Sequence, residues 1–180
     1  MISERLQQLR DLMAERHMDA YMIPTSDFHE SEYVGEYFKA REFMTGFTGS
    51  AGTAVITKDE AGLWTDGRYF VQAGKQLSGT GVELRKMGNP GVPEILEYLE
   101  AVLPEGGKLG FDGRVVNCRQ GLDFEEKLAD KHVTLAYEED LVDQIWKQRP
   151  QLSKEPVWIL EEKFAGKSSA EKISDLREEM

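Results

Sequence analysis

The chain has 180 residues, 40% of them hydrophobic and 31% charged, which suits one globular domain or one domain with a piece of another and excludes collagen-like and disordered classes. Its 33 acidic and 22 basic residues leave a formal charge of −11, a surface that repels nucleic acid and anionic membranes. A lone cysteine, Cys118, excludes an internal disulfide, the charged opening MISERLQQLR is no signal peptide, and no apolar run approaches the ~20 residues of a membrane span, so a soluble cytoplasmic protein is expected.

The first element is an amphipathic helix with Leu6, Leu9, Leu12 and Met13 on its apolar face and Ser3 as its cap. AYMIP (20–24) reads as a short buried strand, and TAVIT (53–57) with AGLWT (61–65) as a hairpin across KDE. RYFVQAGKQL (68–77) has helical length and periodicity, and VELRKM (82–87) is a strand. PEILEYLEAVL (93–103) is a helix between Pro93 and Pro104. KLGFD (108–112) is a strand, NCRQGLDFEEKLADK (117–131) a helix with an Asn117/Gln120 cap pair, VTLAY (133–137) a strand, and EEDLVDQIWKQ (138–148) a helix stopped by Pro150. Strands alternating with helices predict an α/β domain: a mixed sheet of five to six strands with helices on both faces.

After Pro150 the pattern changes. Residues 151–167 read as a connector, followed by a helix opened by a Ser168/Glu171 capping box with Ile173, Leu176 and Met180 on one stripe. ERLQQLRDLM (4–13) and EKISDLREEM (171–180) share one pattern, so the chain reads as domain 1–150 followed by a linker and the first helix of a truncated second, similar domain in 151–180.

The glycine-rich stretch GFTGSAGTAVIT (46–57) invites a nucleotide-binding reading. It lacks the Gly-Lys-Ser/Thr of a phosphate loop, and it leads into a β-branched run rather than a helix whose N-terminus would face a phosphate. Gly49, Ser50 and Gly52 are therefore expected to form a tight turn or bulge feeding a central strand.

Together with YMIPTSDFHESEY, LWTDGRYFVQA and DLVDQIWKQRP, this stretch resembles the N-terminal domain of the creatinase/prolidase/aminopeptidase P superfamily, and most of all its long, three-domain Xaa-Pro aminopeptidases. The resemblance implies a parent enzyme, a homodimer, that removes the N-terminal residue before a proline. It implies two divalent metal ions, in this family usually manganese, held by two Asp, one His and two Glu of a C-terminal catalytic domain. It also implies that this domain overhangs the catalytic pocket and helps bind the Xaa-Pro peptide. None of the three histidines, His17, His29 and His132, has a partner at metal-ligand spacing, so no catalytic or metal residue is assigned and the segment by itself is expected to be inactive.

Candidate substrate-binding residues are Arg68, His29, Arg41 and Tyr33. Arg68 follows a strand end and a turn, where a guanidinium can meet a carboxylate or carbonyl; an Asp66–Arg68 ion pair is the structural alternative. His29 lies in a polar loop after a strand, with a backbone hydrogen bond as its alternative. Tyr33 and Arg41 match family positions near the domain interface, and Arg41 has Glu42 or another acid as an alternative partner. Trp64 and Trp146 read as packing residues. A peptidase-like protein-binding module without catalysis is the rival reading of the whole chain.

Overall fold

The computed structural model describes residues 1–180, which divide into two compact units, Met1–Pro150 and Gln151–Met180. The first contains α1 (Ile2–Glu15), β1 (Ala20–Pro24), α2 (Ala40–Thr45), β2 (Thr53–Thr57), β3 (Ala61–Thr65), α3 (Phe70–Gln76), β4 (Glu83–Lys86), α4 (Ile95–Val102), β5 (Lys108–Phe111), α5 (Cys118–Leu128), β6 (Thr134–Ala136) and α6 (Leu141–Ile145). The strands form one mixed sheet in the order β4-β3-β2-β1-β5-β6, in agreement with the expected fold class. β2 is antiparallel to both neighbours, whereas β3–β4, β1–β5 and β5–β6 are parallel. All strands except β2 therefore run one way, and their carboxyl ends share one edge.

The two faces of the sheet follow from side-chain alternation. Tyr21, Ile23, Ala54, Ile56 and Leu63 point to a core closed by Leu6, Leu9 and Met13 of α1, Met44 of α2, Ala73 of α3 and Leu141 and Val142 of α6. Ala20, Met22, Val55, Trp64 and Leu109 point to the other core, closed by Tyr98 and Leu99 of α4 and Phe124 and Leu128 of α5. Covered on both sides, β1 to β3 need apolar residues at nearly every position, which is why AYMIP, TAVIT and AGLWT are continuous runs. No helix is long and apolar enough to cross a membrane.

Several local expectations change. α1 begins at Ile2 with Met1, not Ser3, as its cap residue. The helix expected over 138–148 shrinks to the five residues of α6, because the Asp140 carboxylate accepts from the N–H groups of Val142 and Asp143 and so fixes the start late. α2 and the short 3-10 turn Glu36–Phe38 lie where no element was expected. At α5 only half of the cap pair forms: the Asn117 side-chain Oδ1 accepts from the N–H of Gln120. Trp64 is fully buried, and Trp146 stacks on Phe43 at 4.5 Å.

In the second unit, residues 151–161 have no regular secondary structure. The short helix α7 (Glu162–Ala165) and α8 (Ser169–Glu179) follow. The Ser168/Glu171 capping box is present in both directions, and Ile173, Leu176 and Met180 are exposed.

Candidate functional site

The carboxyl edge of the sheet is where open α/β sheets collect binding groups, and here the long connection from β1 to β2, residues 25–52, lies across it. An open pocket of about 620 Å³ is lined there by Thr25, Glu32, Tyr33, Phe38, Arg41 and Ser50, among others.

Its floor is the glycine stretch, and the organiser is Arg41. This residue is buried, with a relative exposure of 4%. Its Nε donates to Thr25 Oγ1 at 3.0 Å, and its two terminal nitrogens donate to the carbonyls of Phe47 and Gly49. Thr25 Oγ1 donates in turn to the Gly52 carbonyl (2.8 Å), and Thr65 Oγ1 to that of Ala51 (2.7 Å). Burial pushes the Arg41 guanidinium down to about 10, and no carboxylate pairs with it, so neither Glu42 nor another acid is its partner. Gly46 ends α2 in the left-handed region at φ 77°. Gly49 has another reason to be glycine: a Cβ there would lie 2.3 Å from the Phe47 ring and 2.7 Å from that of Tyr69. The stretch is thus a loop tied by its carbonyls and leading into β2, with no helix start for a phosphate.

Arg68 stands at the rim. Its Nε and Nη2 fork onto Asp66 Oδ1 and Oδ2, both at 2.9 Å, so the expected ion pair exists. The fork holds the Asp66 carboxyl below its ordinary range and the guanidinium above its own. Nη1 makes no hydrogen bond; its neighbour is Glu32 Oε1 at 3.7 Å, and 61% of the side chain is exposed. Glu32 also accepts from Ser50 Oγ (3.3 Å), which sits 2.7 Å from the Tyr69 hydroxyl. The site therefore joins a forked Arg with one nitrogen outside any hydrogen bond, a partly exposed carboxylate ion-paired to it and two hydroxyls above a buried cation. Such a set can hold a peptide's carbonyl or carboxylate and, at Glu32, an ammonium.

Of the four candidates, Tyr33 and Arg41 line the pocket, Tyr33 81% exposed on its wall and Arg41 beneath it. Arg68 reaches it through Glu32. His29 lies outside, exposed, with its backbone N–H donating to Asp27 Oδ1 (2.8 Å). No group of three or more His, Cys, Asp or Glu stands together to hold a metal ion, so the residues present do not fit a dinuclear centre.

Two participants escape a reading of the sequence by motif. Glu32 faces Arg68 only because the loop folds back over the edge, and nothing in ESEY marks it. Arg114 carries a visible signal: Asp112-Gly113-Arg114 repeats Asp66-Gly67-Arg68, each directly after a strand. The geometry repeats too, with Nε to Oδ1 and Nη2 to Oδ2 at 2.9 Å and the backbone N–H to Oδ1 at 3.0 Å in both corners.

Residues 5–145 match the Creatinase/Prolidase N-terminal domain. The chain is 42% identical over 184 residues to Aminopeptidase P2 of Arabidopsis thaliana, covering 99% of this chain and 26% of that protein. It is 46% identical over 181 residues to the "Probable Xaa-Pro aminopeptidase P" of Talaromyces stipitatus, again 99% of this chain and 27% of the relative. Among solved structures, the X-prolyl aminopeptidase of Caenorhabditis elegans, described as a cytosolic enzyme with a di-nuclear active site, superposes with a TM-score of 0.86 at 35% identity, covering 99% of this chain and 31% of that one. The chain thus spans between a quarter and a third of the length of these relatives.

Proposed function

Because the chain belongs to the Creatinase/Prolidase N-terminal domain family, we propose that it serves as the non-catalytic N-terminal domain of an Xaa-Pro aminopeptidase. The hydrolytic centre, with two divalent metals and manganese as the family's usual ion, then belongs to a C-terminal domain that follows. We infer a homodimer in the cytosol, the latter in line with the compartment named for the nematode relative. Residues 151–180 would be the linker and first helix of a second, similar domain.

The observation that carries the reading is the Nη1 of Arg68, which makes no hydrogen bond and faces the pocket-lining Glu32 at the carboxyl edge. A bond before proline offers no N–H to an enzyme, so recognition must come from donors that meet carbonyls and the distal carboxylate. Arg68 is such a donor, already oriented by Asp66, and its remaining nitrogen is engaged only by the 3.7 Å ion pair to Glu32. Four of the exposed large apolar side chains of the first unit, Phe28, Tyr33, Val71 and Tyr137, follow strand carboxyl ends, which suits an edge that faces a catalytic domain.

In the full-length enzyme, Arg68→Ala should lower kcat/KM for an Ala-Pro peptide about ten- to hundredfold, the range of a lost charged hydrogen bond. The melting temperature should stay within about two degrees, as for an exposed surface site. Unchanged kinetics would reduce Arg68 to a structural partner of Asp66.

A further inference from the structure

The second Asp-Gly-Arg corner lies outside the pocket, and its free donors go elsewhere. Arg114 Nη1 donates to the Tyr37 hydroxyl (3.3 Å), Nη2 also donates to Asp140 Oδ2 (3.2 Å), and the guanidinium lies 5.6 Å from the centre of the Phe28 ring. Asp140 is shared with Arg149, whose Nη1 donates to it at 2.5 Å while its Nε donates to the Tyr37 carbonyl (2.8 Å). The Arg149 guanidinium stacks 4.1 Å from the Tyr37 ring. Phe28 meets Phe38 edge to face at 4.8 Å, and Asn117 Nδ2 donates to Glu30 at 2.5 Å.

Phe28 and Tyr37 are the two ends of the segment that carries Glu32 and Tyr33 into the pocket. Both ends touch Arg114. The Arg149–Asp140 pair is almost wholly buried, with side chains 6% and 8% exposed, whereas the Arg114 side chain is 47% exposed. Removing Arg149 would strand a buried carboxylate and damage the fold. Removing the Arg114 side chain leaves that pair in place; Asp112 loses its fork but keeps the backbone N–H of residue 114, and the segment loses its hold.

We propose that Arg114 is a positioning residue of the pocket, holding Phe28 and Tyr37 so that the segment between them brings Glu32 to Arg68 and Ser50. The two matched corners then divide the work: Arg68 presents a nitrogen to a ligand, and Arg114 places the wall opposite it. The ligand part of this inference rests on the reading of the pocket as a peptide site; the placement of the segment does not.

Hydrogen exchange on the whole 180-residue chain tests it. In Arg114→Gln, amides of residues 28–38 should exchange about tenfold faster, while those of β1, β2 and β5 and the melting temperature stay near wild type. Arg114→Lys, which keeps a cation near Asp140 but cannot fork, should restore part of the protection. Arg119→Gln, removing an equal charge from the exposed face of α5, should change nothing in 28–38. In parallel, the tripeptide Ala-Pro-Ala, followed by the NMR shifts of Tyr33, should bind Arg114→Gln several-fold more weakly than wild type. Wild-type exchange in 28–38 of Arg114→Gln would overturn the proposal. So would faster exchange spread over the whole first unit with a matching fall in melting temperature, the mark of a residue of the fold. Loss of protection in a protein whose wild type binds no tripeptide would sustain the positioning role and sink the peptide-site reading instead.

Discussion

Arg41 and Arg68 stand at one edge of one sheet, and burial separates their roles. Arg41 gives its fork to carbonyls and so sets the shape of residues 46–52; Arg68 is fixed by Asp66 and keeps one nitrogen out of hydrogen bonds, beside Glu32. Glycines divide in the same way. Gly49→Ala should destabilise by about 1–3 kcal/mol, because its new methyl collides with the Phe47 and Tyr69 rings and forces off-rotamer packing. Gly74→Ala, in the middle of α3 with nothing within 4 Å of its Cβ position, should stabilise by about 0.4–1 kcal/mol. Urea unfolding of the two variants checks both signs, and a stabilised Gly49→Ala would refute the close packing under the loop. Arg68 was legible as a candidate because Asp-Gly-Arg follows an apolar strand. Glu32 was not, since its approach to Arg68 is created by the path of the loop rather than by any local pattern.

At the scale of elements, legibility follows burial. β1, β2 and β3 announce themselves because both faces are covered, and α4 and α5 because one face is. α2 was missed because six residues are too few to show a period, and its stability comes from tertiary ties, those of Arg41 and Thr45 to the glycine stretch. α4 also offers a pH test. Tyr98 packs against Trp64 and donates to the Glu60 carboxylate at 2.9 Å, and burial together with that carboxylate pushes its phenol up to about 12. The folded state therefore binds this proton more tightly than the unfolded chain, whose phenol titrates near 10. The contribution of Tyr98 to stability is complete below pH 10 and is lost as pH rises from 10 through 12. Denaturation measured across that window should fall less steeply in Tyr98→Phe than in wild type; equal slopes would show that the phenol titrates alike in both states.

The whole molecule pairs a well-covered first unit with a second whose apolar residues Val157, Trp158, Ile159, Phe164, Ile173 and Leu176 are largely exposed. As a 180-residue chain it should retain no stoichiometric manganese after dialysis and release no amino acid from an Ala-Pro peptide, since His17, His29 and His132 assemble no ligand set. Metal analysis together with a free-amine assay checks this, and turnover above the blank would refute the assignment of catalysis to another domain.

The strand order carries a consequence for biogenesis. β1 pairs with β2 on one side and with β5 on the other, while β2, β3 and β4 follow one another outward. A nascent chain can assemble that half of the sheet as it emerges, but the other margin of β1 must wait until residues 108–111 have been synthesised. During that interval Tyr21 and Met22 lie beside a row of unpaired amides and carbonyls, a template for any passing extended segment. The central strand of the finished domain is thus its most vulnerable margin during translation, and delay between β4 and β5 is the interval in which a chaperone would matter most.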